Sequence, residues 1–452
     1  MVAVQSKANS QDSTAAERIE STSPSTESQS GSIPSINPAE TCVPHIADKL
    51  SDLDVSASFL AELALKIASL DSDCNTRKIS ERMKLGLLTT EALMERLYKE
   101  KLVEKKGVVA THNYQYTLLE RGWSEVKRLM DLSSYTGPAP VSLNSYTKRI
   151  KDQVSTRPPV TREALDRAMH GLVFSEEAKD ILALVAGSGR SLFLTGPPGN
   201  GKTATARCLV NAIPGDLWIP HAIEVDGQVI RIYDSHTHRA VQHSDEHYDH
   251  RWVRIKVPLV TVGGELHIRH LDLTYTDTQR FYDAPVQLKA NGGVLLVDDL
   301  GRQRCSAEEL LNRWIVPLEY KIDYLTLSTG TKIQVPFEQV VIFATNLSEN
   351  DLADEAFLRR MGYRLRVGQP TAETYSQIFT NYARSRGLFV DTALIPKLLQ
   401  RYQAEKRTPK CCDPRDLIER TIDLCKLRNQ KADLTEDKLN SVWKGYFGSS
   451  QA

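Results

Sequence analysis

The sequence lacks several features that would each define a class of protein. It has no uninterrupted apolar stretch near the roughly 18 residues that suggest a membrane span, and its N-terminus has no apolar signal-peptide core. It also lacks an excess of charge, because 57 basic residues balance 57 acidic ones, so no overall field attracts nucleic acid or an anionic membrane. We therefore expect a soluble, cytoplasmic protein without a membrane span, whose partners are bound locally.

Cysteine is also scarce. The seven cysteines are odd in number and include no C-x-x-C pair, which argues against a disulfide framework and against a zinc site. Five histidines fall close together in the middle of the chain, but their spacing matches no compact zinc pattern. We expect ordinary loop histidines at these positions, which are His236, His238, His243, His247 and His250.

Two segments have compositions that do not predict a packed core. Residues 1–50 are rich in serine, threonine, glutamine and glutamate and almost lack aromatic residues. Such a segment cannot bury enough apolar surface to offset its ordering entropy, so we predict a disordered tail. Residues 136–158 are rich in proline, serine and threonine, and this composition predicts a linker.

Residues 51–135 predict three helices, the third opening at a Thr-Thr cap, and then a small hairpin and a further helix. This order resembles a winged helix-turn-helix domain, in which the third helix enters a DNA major groove. The charges of that helix are mixed and not basic, so a protein-docking or regulatory module is at least as well supported as a DNA reader. They are Glu91, Glu95, Arg96, Lys99 and Glu100.

The motif "TGPPGNGKTATARCL", which begins at Thr195, carries the most specific chemistry. A short apolar run precedes it and a helical pattern follows it, so the segment predicts a strand, a tight loop and a helix. The glycines let backbone N–H groups turn inward, Lys202 would reach the β- and γ-phosphates, and the Thr203 hydroxyl would bind Mg²⁺. The predicted nucleotide-binding residues are Gly196, Pro197, Pro198, Gly199, Asn200, Gly201, Lys202, Thr203 and Ala204.

Two further apolar strands end in polar residues that suit the same site. "VLLV" is followed by Asp298 and Asp299. We predict that Asp298 holds the water shell of the metal ion and that Asp299 orients or deprotonates the attacking water. "QVVIFATN" ends in Asn346, whose amide can position that water beside the γ-phosphate, although asparagine at a strand end is also ordinary turn chemistry.

Three arginines farther along the chain are candidates for a role in phosphoryl transfer. Arg359 and Arg360 lie in one short basic segment, and Arg415 follows a proline at a predicted helix start. A charge run is most often a solvated face. Phosphoryl transfer, however, gains from arginines that meet the charge developing on the transferred group.

In the order GPPGNGKT, LLVDD, FATN, FLRR and PRDL, the sequence resembles AAA+ ATPases, whose corresponding elements are Walker A, Walker B, sensor 1, the arginine finger and sensor 2. The approach to Walker B is similar to that of MoxR-type and enhancer-binding ATPases. The resemblance implies an α/β fold: a P-loop NTPase three-layer parallel sheet in residues 159–368, with a helical lid in residues 369–452. It also implies ATP and Mg²⁺ as cofactors.

The resemblance further implies a homo-hexameric ring with nucleotide at each subunit interface. Arg360, or its neighbour Arg359, would be the finger that reaches the next subunit's site. Arg415 would contact the γ-phosphate from the lid.

The sequence departs from the family pattern in two places. Asp299 stands where the family usually has glutamate, and the shorter side chain is expected to slow water activation. The stretch 214–290 is longer than the core fold requires, and we predict a β-rich insertion there. Its aromatic residues Tyr275, Phe281 and Tyr282 could form a pore grip on a threaded partner, although core aromatics are the commoner explanation.

We therefore expect an ATP-driven remodelling or chaperone-like ATPase that acts on an unidentified protein client. Two alternatives stay open from the sequence. One is a DNA-associated ATPase that uses the winged helix, and the other is a nucleotide-gated scaffold with little turnover.

Overall fold

The computed structural model describes residues 38–47, 49–242, 247–347, 355–391 and 393–448. Most of the predicted tail, and His243, lie outside the described residues. Among the described residues, no helix is both long and apolar enough to cross a membrane.

The first domain combines helices with a small antiparallel sheet. Its core includes Leu60, Ile79 and Leu93, which are fully buried. The helices and strands, preceded by a short helix α1 (Pro38–Thr41), are α2 (Ala57–Ala68), β1 (Cys74–Asn75), α3 (Thr76–Met83), α4 (Leu87–Lys99), β2 (Val103–Ala110), β3 (Asn113–Leu118) and α5 (Glu120–Leu132). In the sheet, β3 lies between β1 and β2. Helix α4 begins at Leu87, after Gly86, and the Thr-Thr pair predicted to cap it is buried inside the helix.

The segment predicted to be a linker is an ordered helix instead. Strand β4 (Val141–Ser142) leads directly into α6 (Leu143–Ser155). One face of α6 buries Tyr146, Ile150 and Gln153, which lie about one helical turn apart. The prolines that predict a linker flank this helix and do not interrupt it.

The central region, predicted as residues 159–368, is a mixed α/β structure. Its elements in chain order are α7 (Arg162–Ala168), α8 (Glu176–Ser188), β5 (Leu192–Thr195), α9 (Lys202–Ala212), β6 (Asp216–Pro220), β7 (Ala222–Val225), β8 (Gln228–Arg231), β9 (Trp252–Lys256), β10 (Leu259–Val262), β11 (Thr274–Tyr275), β12 (Tyr282–Asp283), α10 (Val286–Lys289), β13 (Val294–Val297), α11 (Ala307–Tyr320), β14 (Ile322–Thr326), β15 (Lys332–Pro336), β16 (Val340–Thr345), α12 (Glu355–Arg360) and β17 (Tyr363–Arg366).

A five-stranded parallel sheet organises this region, in the spatial order β10, β13, β16, β5, β17. Successive residues of a strand point to opposite faces. Leu192 and Leu194 therefore pack in one core and Phe193 packs in another. The prediction of an α/β fold with a parallel sheet is confirmed.

A second, β-rich unit packs around Trp218, Trp252 and Tyr282. Strands β6 and β9 pair with each other, and β11, β12, β8, β7 and β4 form a further sheet in that order. The predicted insertion 214–290 is not one separate unit, because β10 inside it belongs to the central parallel sheet. Pro258 lies between β9 and β10 and separates strands of two different sheets.

Side chains singled out in the predicted insertion have structural partners. Tyr282 is buried and its hydroxyl bonds to that of Ser328, while Phe281 packs against the core of the first domain. The ring of Tyr275, which is 38% exposed, lies 5.0 Å from that of Tyr282. His238 is buried, with Nε2 at 2.9 Å from a backbone carbonyl.

Four helices follow the parallel sheet, in the segment predicted to be a lid. Their shared core contains Phe379, Tyr402, Leu417 and Trp443. The helices are α13 (Ala372–Ser385), α14 (Leu394–Ala404), α15 (Asp413–Leu427) and α16 (Glu436–Phe447).

Candidate functional site

The loop between β5 and α9 has a backbone conformation that depends on glycine. The φ angle is 144° at Gly196, 83° at Gly199 and 91° at Gly201, in a region that L side chains rarely adopt. A Cβ atom at Gly196 would lie 2.1 Å from the carbonyl oxygen of Val367. The Val367 N–H donates to the Thr195 carbonyl over 2.8 Å, so the chain after β17 holds the start of the loop.

Lys202 is the first residue of α9, and its side chain turns back to contact the start of the loop. Its Nζ donates to the carbonyl oxygens of Gly196 (2.8 Å) and Pro197 (3.1 Å) and to Oδ1 of Asn346. Burial lowers the pKa of the Lys202 ammonium, and the carboxylates of Asp299 and Asp298 oppose that effect. A buried ammonium with two nearby carboxylates is thus fixed at the N-terminus of a helix.

Polar side chains from adjacent strands meet beside Lys202. The Thr203 hydroxyl donates to Oδ2 of Asp298 over 2.7 Å. Nδ2 of Asn346 donates to Oδ1 of Asp299 over 2.9 Å, so the amide of Asn346 bonds to Lys202 at one end and to Asp299 at the other. These residues follow β5, β16 and β13, which are neighbours in the sheet, and their carboxyl ends share one edge.

The backbone that carries the two aspartates is held by a residue that sequence reasoning missed. Asp299 has a left-handed φ of 50°, which is strained for a residue other than glycine. Nε2 of Gln303 donates to the carbonyl oxygens of Asp298 (2.9 Å) and Asp299 (3.2 Å). Gln303 belongs to the same "VDDLGRQ" string as the aspartates, so the signal lay in the motif itself.

The four C-terminal helices are anchored to the loop by backbone contacts. The N–H of Cys412 donates to the Gly199 carbonyl over 2.9 Å, and the N–H of Cys411 donates to Oδ1 of Asn200 over 3.1 Å. A Cβ at Gly199 would lie 2.8 Å from Sγ of Cys412. Burial raises the pKa of the Cys411 thiol to about 11. No sequence motif predicted this contact.

The structure does not connect the predicted arginines to this hydrogen-bond network within the described residues. Arg359 is exposed at the end of α12. Nε of Arg360 donates to Oε2 of Glu319 over 3.0 Å, on α11. Arg415 is largely exposed and donates to its neighbour Asp416 over 2.9 Å.

The chemistry of the loop suits a polyphosphate with a divalent cation. Asn200 is 4% exposed, and its Nδ2 has no hydrogen-bond partner among the described residues, which leaves one buried donor for a ligand. Lys202 and the N-terminus of α9 add positive charge. Thr203 and Asp298 offer the oxygen ligands that Mg²⁺ prefers. The residues present therefore fit a magnesium–nucleotide complex.

Comparisons with known proteins give low similarities. A family model described as a domain of unknown function, DUF8689, matches residues 371–445, which cover the four C-terminal helices except the last two residues of α16. No curated relative matches the sequence. The chain is similar to the RuvB Holliday junction branch migration motor of Thermotoga maritima, at 15% identity over 64% of this chain and 72% of that chain, with a TM-score of 0.36. It is also similar to NtrX from Brucella abortus in complex with ADP, at 17% identity over 71% of this chain and 64% of that chain, with a TM-score of 0.37.

Proposed function

We propose that this chain binds and hydrolyses ATP as an AAA+ protein and uses the energy to remodel a protein client. The observation that carries the proposal is the convergence of five side chains at the edge of the parallel sheet. These are Lys202, Thr203, Asp298, Asp299 and Asn346, joined by the hydrogen bonds described above.

In this proposal each group of the loop has a distinct task. The inward-turned backbone and Asn200 bind the phosphates, and Lys202 exchanges its bonds to the loop carbonyls for bonds to the β- and γ-phosphates. Thr203 and Asp298 would hold Mg²⁺, and the bound ion would supply positive charge to the transferred phosphoryl group. The bond between Thr203 and Asp298 keeps both oxygens at one place before the cation binds.

Asp299 and Asn346 act on the attacking water. Asp299 orients the water or accepts a proton from it. Asn346, which follows β16, holds the Asp299 carboxylate in place by a hydrogen bond. The same bond is the observation that favours the second candidate function, a nucleotide-gated scaffold. The Asp299 side chain is one methylene shorter than glutamate and is already held by Asn346, so it would reach the attacking water less readily. Such a site would bind ATP with little turnover.

The proposal includes a homo-hexameric ring with Arg359 or Arg360 in the neighbour's site. Arg359 is exposed, and Arg360 lies beside it on α12. Arg415 lies in the first turn of α15, whose preceding residues contact the loop, and is proposed to meet the γ-phosphate after exchanging its bond to Asp416.

The first domain is proposed to be a winged helix that docks protein in preference to DNA. Two acidic groups of α4 already have partners in the hairpin: Glu95 lies 4.0 Å from the ammonium of Lys105, and the Glu91 carboxylate is hydrogen-bonded to the His112 ring over 2.7 Å. A helix that carries acidic residues, and whose nearby basic residues are paired with those acids, is a poor match for a phosphate backbone.

Nucleotide binding tests the site directly. We expect Lys202→Ala to weaken ATP binding by about 10- to 100-fold, because it removes charge-assisted hydrogen bonds to phosphate. Arg207→Ala, on an exposed position of the same helix, should leave ATP affinity unchanged. Calorimetric titration of both variants measures this. Equal affinities for Lys202→Ala and wild type would show that the loop is not the nucleotide site.

Mixing two inactive variants tests the ring. The Arg359→Ala/Arg360→Ala protein should bind ATP but lose most turnover, since donated arginines contribute on the order of 10³–10⁵ in rate. Mixed with Lys202→Ala under subunit exchange, it should recover activity, because some interfaces then combine an intact loop with intact arginines. Mixtures that assemble and remain inactive would refute the proposed role in trans.

A further inference from the structure

Three exposed arginines follow the carboxyl ends of β10 and β13, and two of them, Arg269 and Arg304, line a shallow cavity there. We call Arg269, Arg302 and Arg304 the arginine patch. The cavity has a volume of about 250 Å³ and is lined by His267, Ile268, Arg269, Arg304, Cys305 and Glu309. All three arginines are exposed. The patch follows the carboxyl ends of β10 and β13, on the same edge of the sheet as the phosphate loop.

The arginine patch is exposed and carries positive charge. Within the described residues, none of its three guanidinium groups has an ion pair or a side-chain hydrogen bond. His267 and His270 add polar rings 5.7 Å apart. Two carboxylates lie nearby: Glu265 accepts a hydrogen bond from the Gly263 N–H over 2.9 Å, and Glu309 lines the cavity. The lining of the cavity itself holds two guanidinium groups, of Arg269 and Arg304, against the one carboxylate of Glu309, which leaves it net positive.

The backbone connects the arginine patch to the proposed hydrolytic aspartates. Gln303 lies between Arg302 and Arg304 in the chain, and its side chain holds the carbonyls of Asp298 and Asp299. The Arg304 N–H donates to the Leu266 carbonyl over 3.1 Å, which ties the segment after β13 to the segment after β10. A ligand that shifts Arg302 or Arg304 therefore acts on the residue that supports the left-handed Asp299.

We propose that the arginine patch binds an acidic segment of a protein and that Gln303 transmits this binding to the hydrolytic site. The coupling rests on the proposed ATPase function, and the binding does not. Carboxylates pair with the fork of donors on each guanidinium. Ile268, in the wall of the cavity, adds an apolar contact suited to a peptide side chain.

A nucleic acid fits these observations less well than an acidic peptide. Affinity for a phosphate backbone comes from many basic contacts along an extended track. The lining of the cavity offers two guanidinium groups, which can pair with one or two carboxylates of a peptide but do not form an extended track.

Peptide binding is measured on the full chain without ATP, by anisotropy of a labelled peptide of consecutive glutamates. We expect the Arg269→Gln/Arg304→Gln variant to bind the peptide about tenfold more weakly, and the affinity of wild type to fall as salt rises. Arg428→Gln, which changes an exposed arginine of the C-terminal helices, is the matched control and should bind as wild type does.

Each contrary result overturns a stated part of the proposal. Equal peptide affinity in wild type and the double variant would remove the patch as the binding site. A single-stranded oligonucleotide of equal charge that binds more tightly, and depends on the same arginines, would replace the acidic peptide by nucleic acid. A changed sedimentation coefficient of the double variant would make a second copy of this chain the occupant.

The coupling is measured by phosphate release with and without the peptide. We expect the peptide to change the release rate of wild type, and Gln303→Ala to keep peptide affinity and lose that change. A Gln303→Ala protein that still responds would refute the coupling. If wild type binds the peptide but releases no phosphate, the ATPase proposal and the coupling fail while the binding site is supported.

Discussion

At the scale of single residues, Asn346 joins the two halves of the proposed chemistry. Its amide oxygen accepts from Lys202, and its amide nitrogen donates to Asp299. One side chain thus contacts both the group proposed to bind phosphate and the group proposed to act on water. The polar residues at the ends of β5, β13 and β16 form one network because Asn346 lies on the central strand of the three.

We predict that Asn346→Ala lowers the maximal ATP hydrolysis rate by about 100-fold, the effect of losing one well-placed donor. The Michaelis constant should change much less, because the phosphate contacts of the loop remain. Steady-state phosphate release across ATP concentrations measures both quantities. Asn211→Ala, at an exposed position of α9, is the control, and an equal rate for it and Asn346→Ala would contradict the assignment.

A second prediction at this scale concerns glycine. Gly196→Ala should abolish nucleotide binding and lower the thermal midpoint, because its Cβ would collide with the Val367 carbonyl and its φ is 144°. Gly187→Ala is the matched control, since a Cβ there meets nothing within 4 Å and α8 should gain about 0.5–1 kcal/mol. A thermal midpoint for Gly196→Ala at or above wild type would show that the loop relaxes.

At the scale of elements, buried apolar runs were predictable and their assignment to sheets was not. The runs at β5, β13 and β16 are short and bounded by turn residues, which is typical of parallel strands. The stretch that contains β9 and β10 is rich in β-branched and apolar residues on both sides of Pro258. Apart from this proline, the sequence gives no sign that β9 and β10 belong to different sheets. Helix α6 was missed because its flanking prolines dominate the composition.

In the candidate site, too, local features were predictable from the sequence and long-range contacts were not. The spacing of the glycine-rich loop makes Lys202 and Thr203 candidates, and the ends of apolar strands make Asp298, Asp299 and Asn346 candidates. The contact between Cys411 and Asn200 joins residues 211 positions apart. Such a contact depends on how two units dock, and no local pattern encodes it.

The β-rich unit should lose stability in mild acid. Burial lowers the pKa of His221 to about 4, with Lys84 adding to the effect, so the unfolded chain binds a proton below about pH 6.5 before the folded chain does. Stability should therefore fall by up to about 3 kcal/mol as pH drops from 6.5 toward 4. His238, which burial also holds below its usual pKa, acts in the same direction.

Urea unfolding at several pH values tests this prediction. The His221→Phe variant should show a flatter dependence of its urea midpoint on pH than wild type. His45→Phe changes an exposed histidine and serves as the control. The same slope for His221→Phe and wild type would mean that His221 does not contribute.

At the scale of the whole molecule, one buried ion cluster fastens the first domain to the β-rich unit. Arg251 is 6% exposed and donates to Asp249 (2.8 Å) and to Asp54 (3.1 Å), the residue whose Oδ2 also accepts from the Ser142 N–H. This cluster links the segment before α2 to β4 and to the start of β9. Asp54 and Arg251 are 197 positions apart in the sequence, so this contact could not be predicted from a local pattern.

We predict that Arg251→Ala destabilises the protein by about 3–5 kcal/mol, because it leaves Asp249 and Asp54 without their shared cation. Cleavage by a protease between the first domain and α6 should become faster. Arg239→Ala, at an exposed position of the same unit, should change stability by less than about 0.5 kcal/mol. Equal protease resistance of Arg251→Ala and wild type would show that other contacts hold the domain.

The central claim is that the convergent site hydrolyses ATP, and Asp299 tests it most directly. Steady-state phosphate release should be lower in Asp299→Asn than in wild type by at least about 100-fold, the contribution of a general base. ATP affinity should stay close to that of wild type, because the loop is unchanged. If Asp299→Asn releases phosphate as fast as wild type, or if wild type releases no more than Lys202→Ala, the account of this site as an ATPase is contradicted.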